Sequence, residues 1–321
     1  PDDIAFRCNL VQSDGEKLID FSGGHIACDD AVRIMADLAD TFNTDDFTFR
    51  TGISYRNLLI LHGPQFSANV AFNKPDDHQD DPISFNRIDP KDDSPAARRT
   101  ADVANDLIAR TATFLDLIAR TATFLAEHPY NQGRAAPANM IWLQSPGKKP
   151  ALPSFSEKYG VSGAIISAVD VIFGLGACVG MTNIRVEGAT GFIDTDYEAK
   201  ADAAVAALDT HDFVYLHVEA VDECGHMGRL DLKLQAIEDI DRRLVGRVRE
   251  QLAGQPITFA VLPDHPVPVK LRKHTRDPVP VLIAGSHISP DAVTVYSESA
   301  ARSGGLGDFQ GDQLMRRIFD I

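Results

Sequence analysis

Five residues in the second half of the chain have the types and spacing for divalent-metal chemistry. The run DFVYLHVEA reads as a buried strand and is followed at once by VDECGHMG, which sets Asp222 four residues before His226. A second apolar strand, ITFAVL, leads into PDHPVPVKLRKHT, which supplies Asp264, His265 and His274. Carboxylate and imidazole together are the ligand mix of manganese, zinc or a similar ion that takes oxygen and nitrogen donors. In parallel α/β sheets, ligands bind beyond the carboxyl ends of the strands, where both groups fall. A single Asp-x-x-x-His loop fits a solvated or hydrogen-bonded histidine at least as well, but two such groups on successive strands of one sheet point to metal. Cys224, between Asp222 and His226, reads as a small buried or merely exposed cysteine rather than a thiolate ligand.

The elements that must position these residues follow from the pattern around them. From ANMIWLQS onward strands and helices alternate: GAIISAV, VIFGLGACVG, NIRVEG, a helix YEAKADAAVAAL, the strand DFVYLHVEA, a helix from about Leu230 to Leu252, and the strands ITFAVL and VPVLIAG. That alternation predicts an α/β core with a largely parallel sheet over residues 147–321 and a separate α+β domain over residues 1–146. Leu230, Leu234, Ile237, Leu244 and Val248 recur at close to helical spacing and predict one apolar face on a covering helix. In the first domain, two strands meet at a Ser13-Asp14-Gly15 turn. A helix CDDAVRIMADLADTF follows, with Asp29 or Asp30 near its N-cap, and then the strand-rich DFTFRTGISYRNLLIL. A polar linker from about Asn73 to Ser94 and a long helix from about Pro95 to His128 complete it. Inside that helix DLIARTATFL occurs twice in tandem, at Asp106–Leu115 and Asp116–Leu125. Ten residues at ~100° each leave the copies roughly 80° apart, so one apolar stripe cannot serve both. Two copies are too few for a solenoid, and the repeat reads as a recent duplication or a sequence-assembly artefact.

Composition removes several classes of function. The chain has 321 residues, 44% hydrophobic and 24% charged, with a net charge of −15. It has no block of Lys or Arg, so the footprint of a nucleic-acid or anionic-membrane binder is absent. A small anionic substrate then needs a local basic pocket or metal ions. Cys8, Cys28, Cys178 and Cys224 form no CxxC pair, which suits a reducing, cytoplasmic setting. The most apolar stretch, GAIISAVDVIFGLGACVGM, is interrupted by Asp170 and by glycines and reads as strand, turn and helix rather than a membrane span. VEGATGFIDTDYEAK lacks a Gly-Lys-Ser/Thr ending and reads as a turn before an Asp-capped helix, and Gly174 and Gly176 read as packing glycines. Candidate anion ligands are Arg7, His25, Arg56 and Arg134, since a guanidinium grips carboxylate or phosphate through two hydrogen bonds. Each taken singly fits an ordinary surface residue equally well.

HVEAVDECGHMG, LPDHPVPV, RKHTRDPVPVLI and VEGATGFIDTDYEAKA resemble the cofactor-independent phosphoglycerate mutases of the archaeal type, within the alkaline phosphatase superfamily. DIAFRCNLV, DFSGGHI, GISYRNLL, NMIWLQSPGKKPALPSFSEKYGVSGAIISAVD and GGLGDFQGDQLM fit the same pattern, so the resemblance spans nearly the whole chain. It implies an alkaline-phosphatase-like core with an inserted substrate-binding cap. The implied enzyme is an isomerase that interconverts 3-phosphoglycerate and 2-phosphoglycerate through a phosphoserine, with two divalent metals, manganese first and magnesium, zinc or cobalt as alternatives. By the resemblance, Asp222, His226 and His274 hold one metal, Asp264 and His265 hold half of the second site, and Lys158 is a lysine that reaches the active site from the core side. Val221 and Val267 stand where the family has Pro and Thr; neither is a ligand. His78 departs from the family's order and is given no role. The resemblance also implies an Asp in an early DG turn and a Ser nucleophile that precede the part matched here, so the chain as it stands is expected to lack its nucleophile and first core strand and to be inactive alone. Two other readings stay open: another phosphotransferase or phosphatase of the superfamily, and a non-catalytic remnant that binds metal or phosphoester.

Overall fold

The computed structural model describes residues 2–109, 124–129 and 138–319. The chain divides into two compact units, Pro1–Pro150 and Ala151–Ile321.

The first unit is built on an antiparallel sheet centred on a ten-residue strand, β1 (Ile4–Ser13). β1 turns through Asp14-Gly15 into β2 (Leu18–Asp20), where the Asp14 carboxylate accepts hydrogen bonds from the amides of Glu16 and Lys17 and Gly15 takes a φ of +97°. Its flanks pair with β4 (Arg56–Leu61), itself beside β3 (Phe47–Ile53). The other side pairs with a strand late in the unit, Met140–Gly147. Alternation does the rest: Ile4, Phe6, Cys8 and Leu10 point to one face and are buried. They meet α1 (Cys28–Phe42), whose buried residues Ala31, Ile34, Met35, Leu38 and Phe42 repeat at helical spacing. Asp29 and Asp30 lie in its first turn, where the helix dipole favours them, but the N-cap is Ala27 and makes no side-chain bond.

The segment from Asn73 to Ser94 is more than a linker. It forms two 3-10 turns, Pro75–Asp77 and Ile83–Phe85, and a strand, β6 (Asp89–Pro90), that pairs with β5 (Val70–Ala71) just before the segment, which makes the late strand β7. Asn73 accepts from the Trp142 indole at 3.1 Å, and Asn86 bonds to the backbone of Ile141 and Leu143 on β7. A segment that reads as polar is held because the Asn73 carbonyl and the Asn86 side-chain amide satisfy buried polar groups on β7. Of the long helix, α2 (Pro95–Ala109) is described; most of the tandem repeat lies outside the described residues.

In the second unit α3 (Phe155–Tyr159) starts with a capping box between Ser154 and Glu157 and stops at Gly160 with φ +73°. The parallel sheet has three strands in the order β10 (Phe213–Leu216), β8 (Gly163–Ile166), β9 (Thr182–Ile184), and β8, central and wholly buried, reads as a continuous apolar run. α4 (Asp170–Cys178) joins β8 to β9, and α5 (Tyr197–Ala207), capped by the Asp196 carboxylate, leads to β10. α6 (Ala220–His226) and α7 (Leu230–Asp239) follow; the helix then widens into a π stretch over Ile240–Val245 and ends as α8 (Gly246–Gln251).

Two expectations fail here. Leu230, Leu234 and Ile237 are exposed, while Ala236, Asp239 and Leu244 are buried, so the predicted stripe is not one face. The π stretch bonds i to i+5 and shifts the helical phase, which a fixed spacing cannot anticipate. Second, β11 (Phe259–Val261) pairs antiparallel with β12 (Leu282–Ala284) and, among the described residues, does not join the parallel sheet. The two ligand-bearing strands therefore do not share one ladder. No described helix is long and apolar enough to cross a membrane.

Candidate metal centre

β10 ends at Leu216, and three residues later α6 begins with Glu219 as its N-cap. Asp222 sits in the first turn and His226 in the last, four residues on, so one face carries both. His226 Nε2 lies 3.3 Å from Asp222 Oδ2. The imidazole is oriented from behind: Nδ1 is 3.0 Å from the Arg272 carbonyl, to which it can only donate, so Nε2 of the neutral ring keeps its lone pair for the centre. Arg272 returns the tie by donating from Nε to the His226 carbonyl at 3.0 Å, with its own backbone at φ +55°.

The other ligand types come from the irregular segment after β11. His274 Nε2 is 3.4 Å from Asp222 Oδ1 and 2.9 Å from His226 Nε2. His265 stacks on His274 at 3.8 Å between ring centroids and brings Nδ1 to 3.8 Å from Asp222 Oδ1. Asp264 accepts from the His265 amide at 2.9 Å, and its other oxygen lies 3.1 Å from His265 Nε2. The structure thus brings together all five residues expected from the sequence, around a half-buried Asp222. One ligand atom from each of Asp222, His226 and His274 lies within 4.8 Å of the others. Asp222 Oδ1 and His265 Nδ1 are buried without a hydrogen-bond partner, an arrangement that costs free energy unless a cation or donor enters. The donor set fits a divalent ion with mixed nitrogen and oxygen ligands.

Three residues to which the sequence assigned no role hold the loop against the helix. A Cβ on Gly225 would lie 2.7 Å from the Val267 carbonyl oxygen, so only glycine lets the loop approach α6 this closely. Lys233, from α7, donates to that same carbonyl at 2.6 Å. Gly225 between two ligands was the one visible signal; Val267 acts through its backbone and carries none. Beside the cluster, Glu219 and Glu223 each bring a carboxylate oxygen within 4.8 Å of one another and of Asp222.

The anion candidates are less concentrated. Arg7 on β1 is affected by Arg56 at the start of β4: burial first, and then the charge of Arg56, pull the Arg7 pKa below its ordinary value. Arg56 also covers the Tyr55 ring at 4.9 Å. His25 lies exposed in the turn after β2, with φ +52° and its amide bonded to Ser22. Arg134 lies outside the described residues. Lys158 is not among the clustered residues: α3 precedes β8 and packs Phe155 on Phe213, the first residue of β10, which sets α3 beside the amino end of that strand. There its ammonium is 4.0 Å from the Asp312 carboxylate.

Comparison with known proteins gives a consistent result. The family model of the metalloenzyme superfamily matches residues 67–320, and that of 2,3-bisphosphoglycerate-independent phosphoglycerate mutase matches residues 1–131. A 2,3-bisphosphoglycerate-independent phosphoglycerate mutase of Methanothermobacter thermautotrophicus is 40% identical, over 99% of this chain and 75% of its own. One from Methanosarcina acetivorans is 39% identical over 100% and 78%. Among structures, the cofactor-independent phosphoglycerate mutase from Thermoplasma acidophilum aligns with a TM-score of 0.57 at 26% identity, over 95% of this chain and 73% of that one. A Pyrococcus horikoshii protein aligns at 0.76 and 24% identity, over 99% and 73%, which shows the shared fold.

Proposed function

The chain belongs to the 2,3-bisphosphoglycerate-independent phosphoglycerate mutases, an isomerase family, and we propose that it serves their phosphoryl shift between the 3- and 2-positions of glycerate with the five-residue cluster as its metal centre. The observation that carries this reading is the convergence of Asp222, His226 and His274, with Asp222 Oδ1 and His265 Nδ1 buried beside them without a hydrogen-bond partner. Asp222, His226 and His274 would hold one divalent ion, and Asp264 with His265 would contribute to a second. Bound there, such ions lower the pKa of an attacking hydroxyl and neutralise charge on the transferring phosphoryl oxygens.

The protein's own residues supply the arrangement. Asp222 contributes the negative charge shared by three imidazoles, at 3.3 Å, 3.4 Å and 3.8 Å from His226, His274 and His265. The Arg272 carbonyl holds the His226 proton on Nδ1 and so keeps Nε2 ready as a ligand. Arg7 and Arg56 in the first unit are the pair suited to a doubly charged group such as phosphate or carboxylate, because two neighbouring guanidinium ions repel until an anion enters. Manganese is the first metal to test, and a cytoplasmic glycolytic role accompanies the reading.

Mn2+ titration of the protein, followed by the electron paramagnetic resonance of the free ion, tests the centre directly. Saturable binding that His226→Ala and His274→Ala both abolish is expected. Equal stoichiometry in parent and both variants would overturn the assignment. Conversion of 3-phosphoglycerate, coupled to enolase, reads the reaction itself.

A further inference from the structure

α5 buries Tyr197, Lys200, Ala201, Ala204 and Ala207, the stripe of a core-facing helix, and the lysine among them is fully buried at 0% exposure. An ammonium taken out of water is costly unless acceptors receive it. Lys200 Nζ lies 3.4 Å from the backbone carbonyl of His217, and the charge of Glu219 acts on it. Both partners belong to residues 217–219, the short crossing from β10 into α6.

The same crossing is gripped from the sheet. Ser167, directly after β8, accepts the Val169 amide at 3.0 Å, so its hydroxyl proton is free to point at His217 Nδ1, 3.1 Å away. That leaves the ring proton on Nε2, facing Glu219 Oε2 at 3.4 Å. Burial lowers the His217 pKa, in keeping with a neutral ring. The Glu219 carbonyl then accepts from the amide of Asp222 at 2.9 Å and begins the ligand helix.

We propose that Lys200 and His217 are positioning residues for the metal centre: together with Ser167 they fix the crossing from β10 to α6, so that Asp222 and His226 present their ligand atoms toward His274. The proposal rests on the metal reading above. Elsewhere in a core, exchanging a buried ion for an apolar side chain of like volume is often neutral or stabilising, so a lysine that serves packing alone should be replaceable without effect on metal.

The test uses Lys200→Met, with His226→Ala as the reference, and Mn2+ alone as the probe. Thermal melting in EDTA reports the apo fold, and the visible spectrum of the Co2+-loaded protein reports ligand geometry. Lys200→Met is expected to bind Mn2+ about 10-fold more weakly, the lower end for groups that orient ligands, with altered Co2+ bands and an apo melting temperature at or above the parent's. If His226→Ala loses Mn2+ while Lys200→Met binds it as the parent does, the positioning role is overturned and the metal reading stands. If His226→Ala itself binds like the parent, the metal reading fails and takes the inference with it. Should Lys200→Met not fold, Ser167→Ala decides, since it frees His217 and leaves Lys200 in place: several-fold weaker Mn2+ supports the role, and unchanged affinity overturns it.

Discussion

The two segments that converge on the metal centre obtain their geometry in opposite ways. α6 sets Asp222 and His226 on one face through its own hydrogen bonds, and this needs only the i, i+4 spacing. The segment 262–275 carries Asp264, His265 and His274 with no regular element of its own, and takes its shape from the helices beside it. The Val267 carbonyl is held by Lys233, the Val267 side chain lies against Gly225, and Arg272 exchanges two hydrogen bonds with His226. The helix makes its ligand pair locally; the loop borrows its geometry. Damage to the loop's ties should therefore cost metal affinity well before it costs the helix.

Removing ligands is the largest expected effect and breaks the comparison if the halves differ. His226→Ala and His274→Ala should each weaken Mn2+ by more than ~100-fold, beyond what outer contacts give. Binding also links to stability: Mn2+ at about 100 times its dissociation constant should raise the unfolding free energy by ~2.7 kcal/mol. Calorimetric melting with and without EDTA should show that rise in the parent and not in either variant. A full rise in His274→Ala would mean that the helix pair suffices without the loop.

Next comes the contact that couples the two segments. Gly225→Val must open the 2.7 Å approach to the Val267 oxygen and should destabilise the protein by ~1–3 kcal/mol, as overpacking does, while weakening Mn2+ binding as well. Denaturant melts give the first number and titration the second; a variant with parental values for both would show that the loop is not held by this approach. Lys233→Met removes the bond to the Val267 carbonyl and should cost ~1 kcal/mol. Its metal affinity should fall while the α6 amides keep their protection from hydrogen exchange; equal loss of protection would show that helix and loop form one unit.

The effect most remote from the ligands themselves concerns the crossing that feeds α6. Burial lowers the Lys200 pKa from 10.5 to about 8. Between those values the unfolded chain binds more protons than the folded one, so stability rises with pH. Below about 8 the lysine is charged in both states and its burial penalty is fully present; above 10.5 it is neutral in both and the penalty is gone. Stability of the parent relative to Lys200→Met, followed by urea melts from pH 7 to 10.5, should therefore increase with pH. A flat difference would show that the lysine is solvated in the folded state.

How much could be read in advance depended on how local each feature is. The hairpin at Asp14-Gly15, α1 and the strands β8 and β10 follow from turn chemistry, period and apolar runs, each encoded within a few residues. The packing of Asn73 and Asn86 against the sheet could not be read that way, because the partners are the Trp142 indole and the backbone of Ile141 and Leu143. Leu230, Leu234 and Ile237 are exposed, and the buried Leu244 does not continue their face, because the phase of the helix changes at Ile240–Val245 between them. The place of Lys158 relative to the metal cluster was equally out of reach, because it depends on how α3 packs on β10 and not on residue type.

The sequence by itself determined the ligand types, the strands they follow and the helical spacing of Asp222 and His226, because each depends on covalent order and short-range backbone geometry. Only the tertiary structure decided that His274, 48 residues from His226, comes to 2.9 Å from it, that Gly225 must lack a side chain, and that a buried lysine underlies the crossing into the ligand helix. Those facts depend on which backbone carbonyls and side chains meet through space, and a carbonyl such as that of Val267 is chemically the same at every position in a chain.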